Sequence, residues 1–286
     1  MKRFILICIV WCGAITVWAQ PVAEWVIFGD SLSDNGNSYE YSHHQKPPKA
    51  MYYRGRYSNG PIWVDYVHDH FAHQKVQPLF LNYAFGGAGV LHSQGQAFTL
   101  SQEIDSYLLS HKTSPKSDTR FVVWIGANDY LLHPDAAPST TNKIIMAIQN
   151  NILRLVRHGA QHIIIIGLPD LGYSPFAQDL ELQQPLSALS QRHNVLLQQR
   201  VKQLQDRFPK IDWQYVDANH IFAHLRSQPK QYGLTYPLER CMDPSKPIRR
   251  HSCLQYVFFD QFHPTTRIHK IFAQYFLKRV HAPSLK

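Results

Sequence analysis

Five short apolar runs recur along the chain, separated by longer polar stretches that have helical character. The runs lie at 24–28, 77–82, 121–125, 161–167 and 211–216. Their β-branched and aromatic content is typical of buried strands, and the four consecutive isoleucines of the fourth run indicate burial on both faces. Because strands alternate with helices, the sequence predicts a three-layer α/β/α fold with a mainly parallel central sheet of about five strands.

The first residues differ from the rest of the chain. Lys2 and Arg3 precede an apolar stretch that ends in the small residue Ala19, which is typical of a secretory signal peptide. The stretch is short for a membrane span of ~20 residues, which disfavours the alternative of an uncleaved anchor. We therefore expect a signal peptide at 1–19, export to the periplasm or the medium, and a single domain over 20–286.

Nucleic acids and metal ions are both disfavoured as partners. The formal net charge is +9, or +7 without the signal peptide, but the basic residues are scattered and no nucleic-acid motif accompanies them. A solvated basic surface, compatible with an anionic membrane, accounts for the charge.

A predicted helix that Asn59 or Gly60 can cap contains three histidines, His68, His70 and His73. Their spacing does not place all three on one face, so we expect neither a metal nor a cofactor.

The cysteines indicate one disulfide. Cys8 and Cys12 fall in the signal peptide, so the mature chain keeps only Cys241 and Cys253. An exported protein with two nearby cysteines most simply pairs them. The disulfide would close a short ring of residues, and in the chain-entropy model a ring of that size stabilises the folded state by about 3 kcal/mol.

Polar residues follow three of the predicted strands at the point where each strand ends. Ser31 follows the first run, Gly87 lies in a glycine-rich turn after the second, and Asn128 follows the third. Because ligands in open parallel sheets bind beyond the carboxyl ends of the strands, these residues should meet at one edge. Each is otherwise an ordinary turn former. Residues 39–56 lack periodicity, which indicates an irregular loop over Ser31.

Four blocks of the chain resemble those of the GDSL lipases and esterases, the SGNH hydrolase superfamily. The first is Phe-Gly-Asp-Ser-Leu-Ser-Asp-Asn-Gly-Asn at 28–37, and the others are Asn-Tyr-Ala-Phe-Gly-Gly-Ala-Gly at 82–89, Gly-Ala-Asn-Asp at 126–129 and Asp-Gln-Phe-His at 260–263. They occur in the order that the family shows, and the resemblance covers almost the whole mature chain. It implies a flavodoxin-like SGNH hydrolase domain.

The resemblance also implies the catalytic residues. Ser31 would be the nucleophile, and His263 the general base that takes its proton. Asp260 would orient the imidazole and stabilise its charged form. The implied chemistry is acyl transfer from an ester by way of an acyl-enzyme.

An oxyanion hole is implied at three groups. They are the backbone N–H groups of Ser31 and Gly87 and the side chain of Asn128. Gly86 is the alternative to Gly87, because both stand in the same glycine-rich block.

The first two blocks and the cysteine ring look most like exported bacterial phospholipases, lysophospholipases and glycerophospholipid:cholesterol acyltransferases. We therefore expect a secreted enzyme that releases fatty acid from (lyso)phospholipids at a membrane or micelle surface, with acyl transfer to another alcohol as an additional activity. A carbohydrate or short-chain carboxylesterase could use the same residues. A third hypothesis, from another class, is an inactive exported binding module.

The loop between Cys241 and Cys253 is basic and contains prolines. A staple that positions the catalytic turn is the simpler role for it. A second hypothesis, which rests on the likeness to the exported acyltransferases, is that the loop shields the site until a protease cuts at Lys246, Arg249 or Arg250.

Overall fold

The apolar runs form the strands of a central parallel sheet. The strands are β1 (Glu24–Gly29), β2 (Leu79–Asn82), β3 (Thr119–Trp124), β4 (His162–Ile166) and β5 (Asp212–Val216). They pair in the order β2-β1-β3-β4-β5, and every pairing is parallel.

The computed structural model describes residues 22–72, 77–95, 97–242 and 250–281. The signal peptide, His73 and the protease sites Lys246 and Arg249 lie outside the described residues, as does the side chain of Arg250. What the sequence indicates for them stays a prediction. Among the described helices, none combines the length and the apolar character needed to cross a bilayer.

Side chains alternate across the sheet and fill two cores. In β1, Val26 and Phe28 belong to one core, and Trp25 and Ile27 belong to the other. This alternation follows from the extended backbone, in which successive side chains point to opposite faces. Because both faces are covered, the strands are continuous apolar runs.

Helices cover both faces of the sheet. In chain order the described helices are α1 (Asn37–Tyr41), α2 (Trp63–Ala72), α3 (Leu100–Ser110), α4 (Ala127–Leu131), α5 (Pro138–His158), α6 (Pro175–Asp179), α7 (Gln183–Arg207), α8 (Ala218–Ser227) and α9 (Thr266–His281). The first core lies under α3, α5 and α7, and the second lies under α2, α8 and α9. The predicted three-layer α/β/α fold with a parallel five-stranded sheet is confirmed.

A small second sheet, which the sequence did not indicate, precedes the last helix. Its strands β6 (Tyr236–Arg240) and β7 (Tyr256–Phe258) are parallel. The predicted disulfide joins Cys241, directly after β6, to Cys253, just before β7, with the Cα atoms 5.4 Å apart. Because β7 leads into the 260–263 block, the small sheet and the disulfide together position that block.

The predicted cap of α2 at Asn59 or Gly60 is wrong, because the helix begins only at Trp63. Asn59 Oδ1 accepts the backbone N–H of Thr266 at 2.9 Å, so Asn59 caps α9, from a distant part of the chain. At the start of α2, Asp65 accepts the N–H of Ile62 at 2.9 Å. Both side chains satisfy N–H groups that the first turn of a helix leaves without a partner.

Candidate active site

The carboxyl ends of β1, β2 and β3 meet at one edge of the sheet. Ser31, Gly87 and Asn128 lie at this edge, and they line a cavity of about 540 Å³ together with Asp260 and His263. The structure therefore brings together all five residues that the family resemblance implies.

Ser31, His263 and Asp260 form a hydrogen-bonded chain. The Ser31 Oγ lies 2.8 Å from His263 Nε2, and His263 Nδ1 lies 2.7 Å from Asp260 Oδ2. Asp260 is only 4% exposed. In this order the imidazole can accept the hydroxyl proton, and the carboxylate can stabilise the charged ring that results.

Asp260 is held by more than the imidazole. Its Oδ1 accepts the N–H groups of Phe262 and His263 at 2.8 and 2.7 Å, and its Oδ2 accepts the hydroxyl of Tyr52 at 2.6 Å. Burial by itself raises the pKa of a carboxyl, but the nearby His263 and these hydrogen bonds outweigh burial and hold the pKa of Asp260 below its usual value. Asp260 is therefore ionised and held in one orientation.

Tyr52 is a site residue that the sequence did not reveal. It lies in the segment predicted to be an irregular loop, and its ring packs against Phe259 and Tyr57 with centroids 5.6 and 5.9 Å away. Tyr57 in turn packs against the imidazole of His263, with centroids 5.1 Å apart. The aromatic content of the loop is the sequence signal for these contacts, but no spacing rule links Tyr52 to an aspartate 208 positions away.

Backbone geometry distinguishes Gly87 from Gly86. The Gly86 N–H donates to Asp34 Oδ2 at 2.8 Å and to the Ser38 hydroxyl at 2.7 Å, so it is not free to bind an oxyanion. In the described part of the chain, the N–H groups of Gly87 and Ser31 have no acceptor. Gly87 has a φ of 83°, a left-handed conformation that favours glycine. These contacts favour Gly87 as an oxyanion donor.

Asn128 lies near the start of α4, and one hydrogen bond fixes its side chain. Its Nδ2 donates to the Ala88 carbonyl at 2.7 Å, which leaves the second hydrogen of the amide for a ligand. The neighbouring Asp129 accepts the three successive N–H groups of 90–92, at 2.7, 2.8 and 3.2 Å. Because the loop after β2 is tied in this way to the loop after β3, Gly87 and Asn128 keep a fixed separation.

Asp34 ties the turn after β1 to the turn after β2. Its Oδ1 accepts the N–H groups of Gly36 and Asn37, and its Oδ2 accepts those of Ser38 and Gly86. The side chain is buried, and four N–H donors offset the free-energy cost of burying a carboxylate. Asp34 is therefore a structural residue of the site, a role that the sequence did not indicate.

The sequence model of the GDSL-like lipase/acylhydrolase family matches residues 26–276. The chain belongs to this family. The match spans all four sequence blocks and confirms the resemblance to the SGNH hydrolases. The family consists of ester hydrolases of the esterase and lipase type, so this GDSL-family chain is a hydrolase of that type.

Relatives of this GDSL-family chain include an acyltransferase and a secreted effector. The phosphatidylcholine-sterol acyltransferase of Aeromonas hydrophila is 29% identical over 283 residues, which cover 94% of this chain and 82% of that protein. The secreted effector protein SseJ of Salmonella typhimurium is 27% identical over 278 residues, which cover 88% of this chain and 62% of that protein. The chain therefore spans less than two thirds of the second relative.

Solved structures with a similar fold include carbohydrate esterases. An acetylxylan esterase from Geobacillus stearothermophilus has a TM-score of 0.54 and 14% identity, with 92% of this chain and 96% of that chain covered. A carbohydrate acetylesterase family member from Sinorhizobium meliloti has a TM-score of 0.50 and 14% identity, with 90% and 97% covered. At these identities the similarity concerns the fold alone.

The wall of the cavity in this GDSL-family chain is largely apolar. Many of its residues come from α8, the small second sheet and the loops after β3 and β4. They include Leu131, Leu171, Phe222, Leu238, Val257 and Phe258. Three cationic residues, Lys46, Arg226 and Arg240, also line the cavity. A wall of this kind suits a ligand that combines an apolar chain with a polar, anionic part.

The expectation of no metal stays a prediction. His68 and His70 lie exposed on α2, and His73 lies outside the described residues. Within the described residues, no group of three His, Cys, Asp or Glu side chains could hold a metal ion.

Asp30 is a buried carboxyl directly before Ser31. Its Oδ1 accepts the N–H of Leu32 at 3.0 Å. Burial raises the pKa of Asp30 to about 6, although that hydrogen bond and the nearby His263 act in the opposite direction. The side chain therefore changes its protonation state in the range where many hydrolases work.

Asp30→Asn should change how stability depends on pH. A carboxyl whose pKa rises on folding stabilises the folded state fully below its unfolded pKa, and this contribution is lost as the pH rises through the folded pKa of about 6. Between pH 4 and pH 8 the free energy of unfolding of the wild type should fall by about 2 kcal/mol relative to that of the variant. Urea unfolding of both proteins across this range measures the difference. If their free energies of unfolding change with pH in parallel, the prediction is wrong.

Tyr52→Phe should lower turnover while the ring packing is kept. The variant loses a hydrogen bond to a charged carboxylate, which is worth about 1.5–3 kcal/mol. We expect kcat on a soluble ester to fall roughly tenfold with little change in KM, because only part of that energy acts on the imidazole. Tyr66→Phe is the matched control, since the Tyr66 hydroxyl bonds Thr266 at 2.7 Å outside the cavity. Equal losses of kcat in the two variants would contradict a role for Tyr52.

Proposed function

We propose that this chain is an exported serine ester hydrolase that releases fatty acid from lysophospholipids and phospholipids. The observation that carries the proposal is the hydrogen-bonded chain of Ser31, His263 and Asp260 in a cavity of about 540 Å³ with largely apolar walls. Such walls can bury an acyl chain beside the serine. The likeness to the phosphatidylcholine-sterol acyltransferase supports a phospholipid as the acyl donor.

In the first half of the proposed reaction, the Ser31 Oγ attacks the carbonyl carbon of the ester. Its proton passes to His263 Nε2, and Asp260 stabilises the imidazolium ion. The tetrahedral intermediate then expels the alcohol, which takes the proton from His263 and leaves the acyl group on Ser31.

In the second half, water attacks the acyl-enzyme while His263 again accepts the proton. Collapse of the second tetrahedral intermediate releases the fatty acid and returns the proton to Ser31. An alcohol that enters in place of water would give acyl transfer, the activity for which the Aeromonas relative is named.

The developing oxyanion would be bound by three donors. They are the N–H groups of Ser31 and Gly87 and the second Nδ2 hydrogen of Asn128. Donors that are fixed before the reaction stabilise the transition state without reorganisation. The bonds of Asp34 and Asp129 to the neighbouring loops provide that fixation.

Export and a lipid surface complete the proposal. The signal-peptide pattern at 1–19 and the basic mature chain support export and contact with an anionic membrane or micelle. One relative is named a secreted effector. Activation by a protease at Lys246, Arg249 or Arg250 also remains a proposal.

Asn128→Ala should reduce kcat by ~10²-fold or more, because the variant lacks one oxyanion donor. Asn151→Ala is the matched control, since the Asn151 side chain donates to the Ala147 carbonyl at 3.0 Å on α5, outside the cavity. Steady-state kinetics on a soluble ester, with thermal melts to check folding, measure both variants. A loss of less than about threefold in Asn128→Ala would contradict the oxyanion role.

The substrate class is tested by a panel of esters. We expect the mature chain to release fatty acid from lysophosphatidylcholine and phosphatidylcholine far faster than acetate from acetylated xylan, and Ser31→Ala to be inactive on all of them. The opposite preference would favour a carbohydrate or short-chain esterase. Absence of turnover on every ester would favour the inactive binding module.

A further inference from the structure

The wall of the cavity formed by α8 carries an arginine that has no acidic partner in the described part of the chain. Arg226 lies in the last turn of α8 and lines the same cavity as Ser31. Its Cζ lies 3.4 Å from the centroid of the Tyr173 ring, which also lines the cavity. Among the described residues, no carboxylate lies within ion-pair distance of Arg226.

The distance between Arg226 and Tyr173 fixes the orientation of the guanidinium group. A separation of 3.4 Å is the contact thickness of two flat groups, so the guanidinium plane lies face to face with the ring. Its N–H bonds lie in its own plane and are therefore directed to the surroundings and not into the ring. The stacking leaves the N–H donors of Arg226 available. Because it also restricts the side chain before a ligand binds, less side-chain entropy is lost on binding.

The other charged residues of the cavity wall are already engaged or lie at the rim. Arg240 pairs with Asp179 at 2.9 Å, and Lys46 is exposed. Asp170, an acid of the cavity wall, uses its Oδ1 to accept the Gly172 N–H and the Ser187 hydroxyl at 3.0 and 2.6 Å. Asp260 belongs to the catalytic chain, and Asp30, directly before Ser31, is buried.

Apolar residues line the same cavity as Arg226. Phe222 and Ala223 precede it on α8, and Leu238 of β6 also lines the cavity. A cation at the end of a helix is favourable by itself, because it lies near the terminal carbonyls. The helix-end effect would act equally on an exposed arginine. It therefore does not explain why Arg226 stacks on Tyr173 in the wall of the cavity.

We propose that Arg226, held by Tyr173, binds the phosphate of the phospholipid head group. The inference rests on the proposed function and adds the residues that recognise the anionic part of the substrate. Guanidinium groups bind phosphate with two parallel N–H···O bonds, and a partly desolvated cation strengthens such bonds. The acyl chain and the head group would thus be bound by different parts of one cavity.

The test compares two substrates that differ in the phosphate. Lysophosphatidylcholine and monoacylglycerol with the same palmitoyl chain are presented in the same neutral detergent micelles. Arg226→Met keeps an unbranched side chain over Tyr173 but removes the charge. We expect it to lower the ratio of kcat/KM on the phospholipid to kcat/KM on the neutral lipid at least tenfold, and Arg226→Lys to recover part of the loss.

Arg279→Met is the matched control. Arg279 lies over the ring of Tyr275 at 5.5 Å on α9, outside the cavity, so this substitution should leave the ratio unchanged. Glycerophosphocholine, which carries the head group without an acyl chain, should inhibit hydrolysis of the neutral lipid by the wild type more strongly than by Arg226→Met. If inorganic phosphate inhibits the wild type as strongly as glycerophosphocholine does, the site binds phosphate itself. That result would overturn recognition of the lipid head group.

The outcomes separate this inference from the proposed function. An equal loss of kcat/KM on both lipids, or no loss on either, in Arg226→Met would overturn the role of Arg226 and leave the hydrolase intact. A wild type that hydrolyses neither palmitoyl ester would overturn the proposed function and the inference together. Thermal melts of each variant show whether a loss of activity reflects unfolding.

Discussion

The hydrogen bond between Ser31 and His263 is the contact that the chemistry of the site requires and that the fold must bring about. It joins residues 232 positions apart, and a hydroxyl and an imidazole bond only when their atoms come within about 3 Å. The parallel sheet brings Ser31 to one edge by way of β1. The small second sheet, its disulfide and the cap of α9 by Asn59 bring His263 to the same place. Apolar packing supports both arrangements, since β1 lies between the two cores and β7 packs with α8 and α9 in a smaller apolar cluster.

Buried carboxylates hold the loops of the site in place. Asp34, Asp129 and Asp260 are each buried, and each accepts several backbone N–H groups. A carboxylate without such partners would be costly to bury, so the loops and the acids stabilise one another. This explains how segments without regular secondary structure keep the fixed geometry that an oxyanion hole requires.

The sequence predicted those features that depend on local pattern. Apolar runs showed the five strands, and the four family blocks showed which turns meet at the sheet edge. The capping box of Thr99 and Gln102 at the start of α3 is also a local pattern, although no prediction was drawn from it. The Tyr52–Asp260 bond, the Arg226–Tyr173 stack and the pairing of β6 with β7 could not be predicted, because they join segments whose approach is decided by the tertiary fold.

Labelling with a fluorophosphonate probe shows whether His263 activates Ser31. The phosphorus of the probe is attacked by an activated serine hydroxyl and stays bound to it. Peptide mapping of the labelled wild type should find the adduct on Ser31, and the labelling rate of His263→Ala should be lower by several orders of magnitude. An adduct on another residue, or equal rates in the two proteins, would contradict the account.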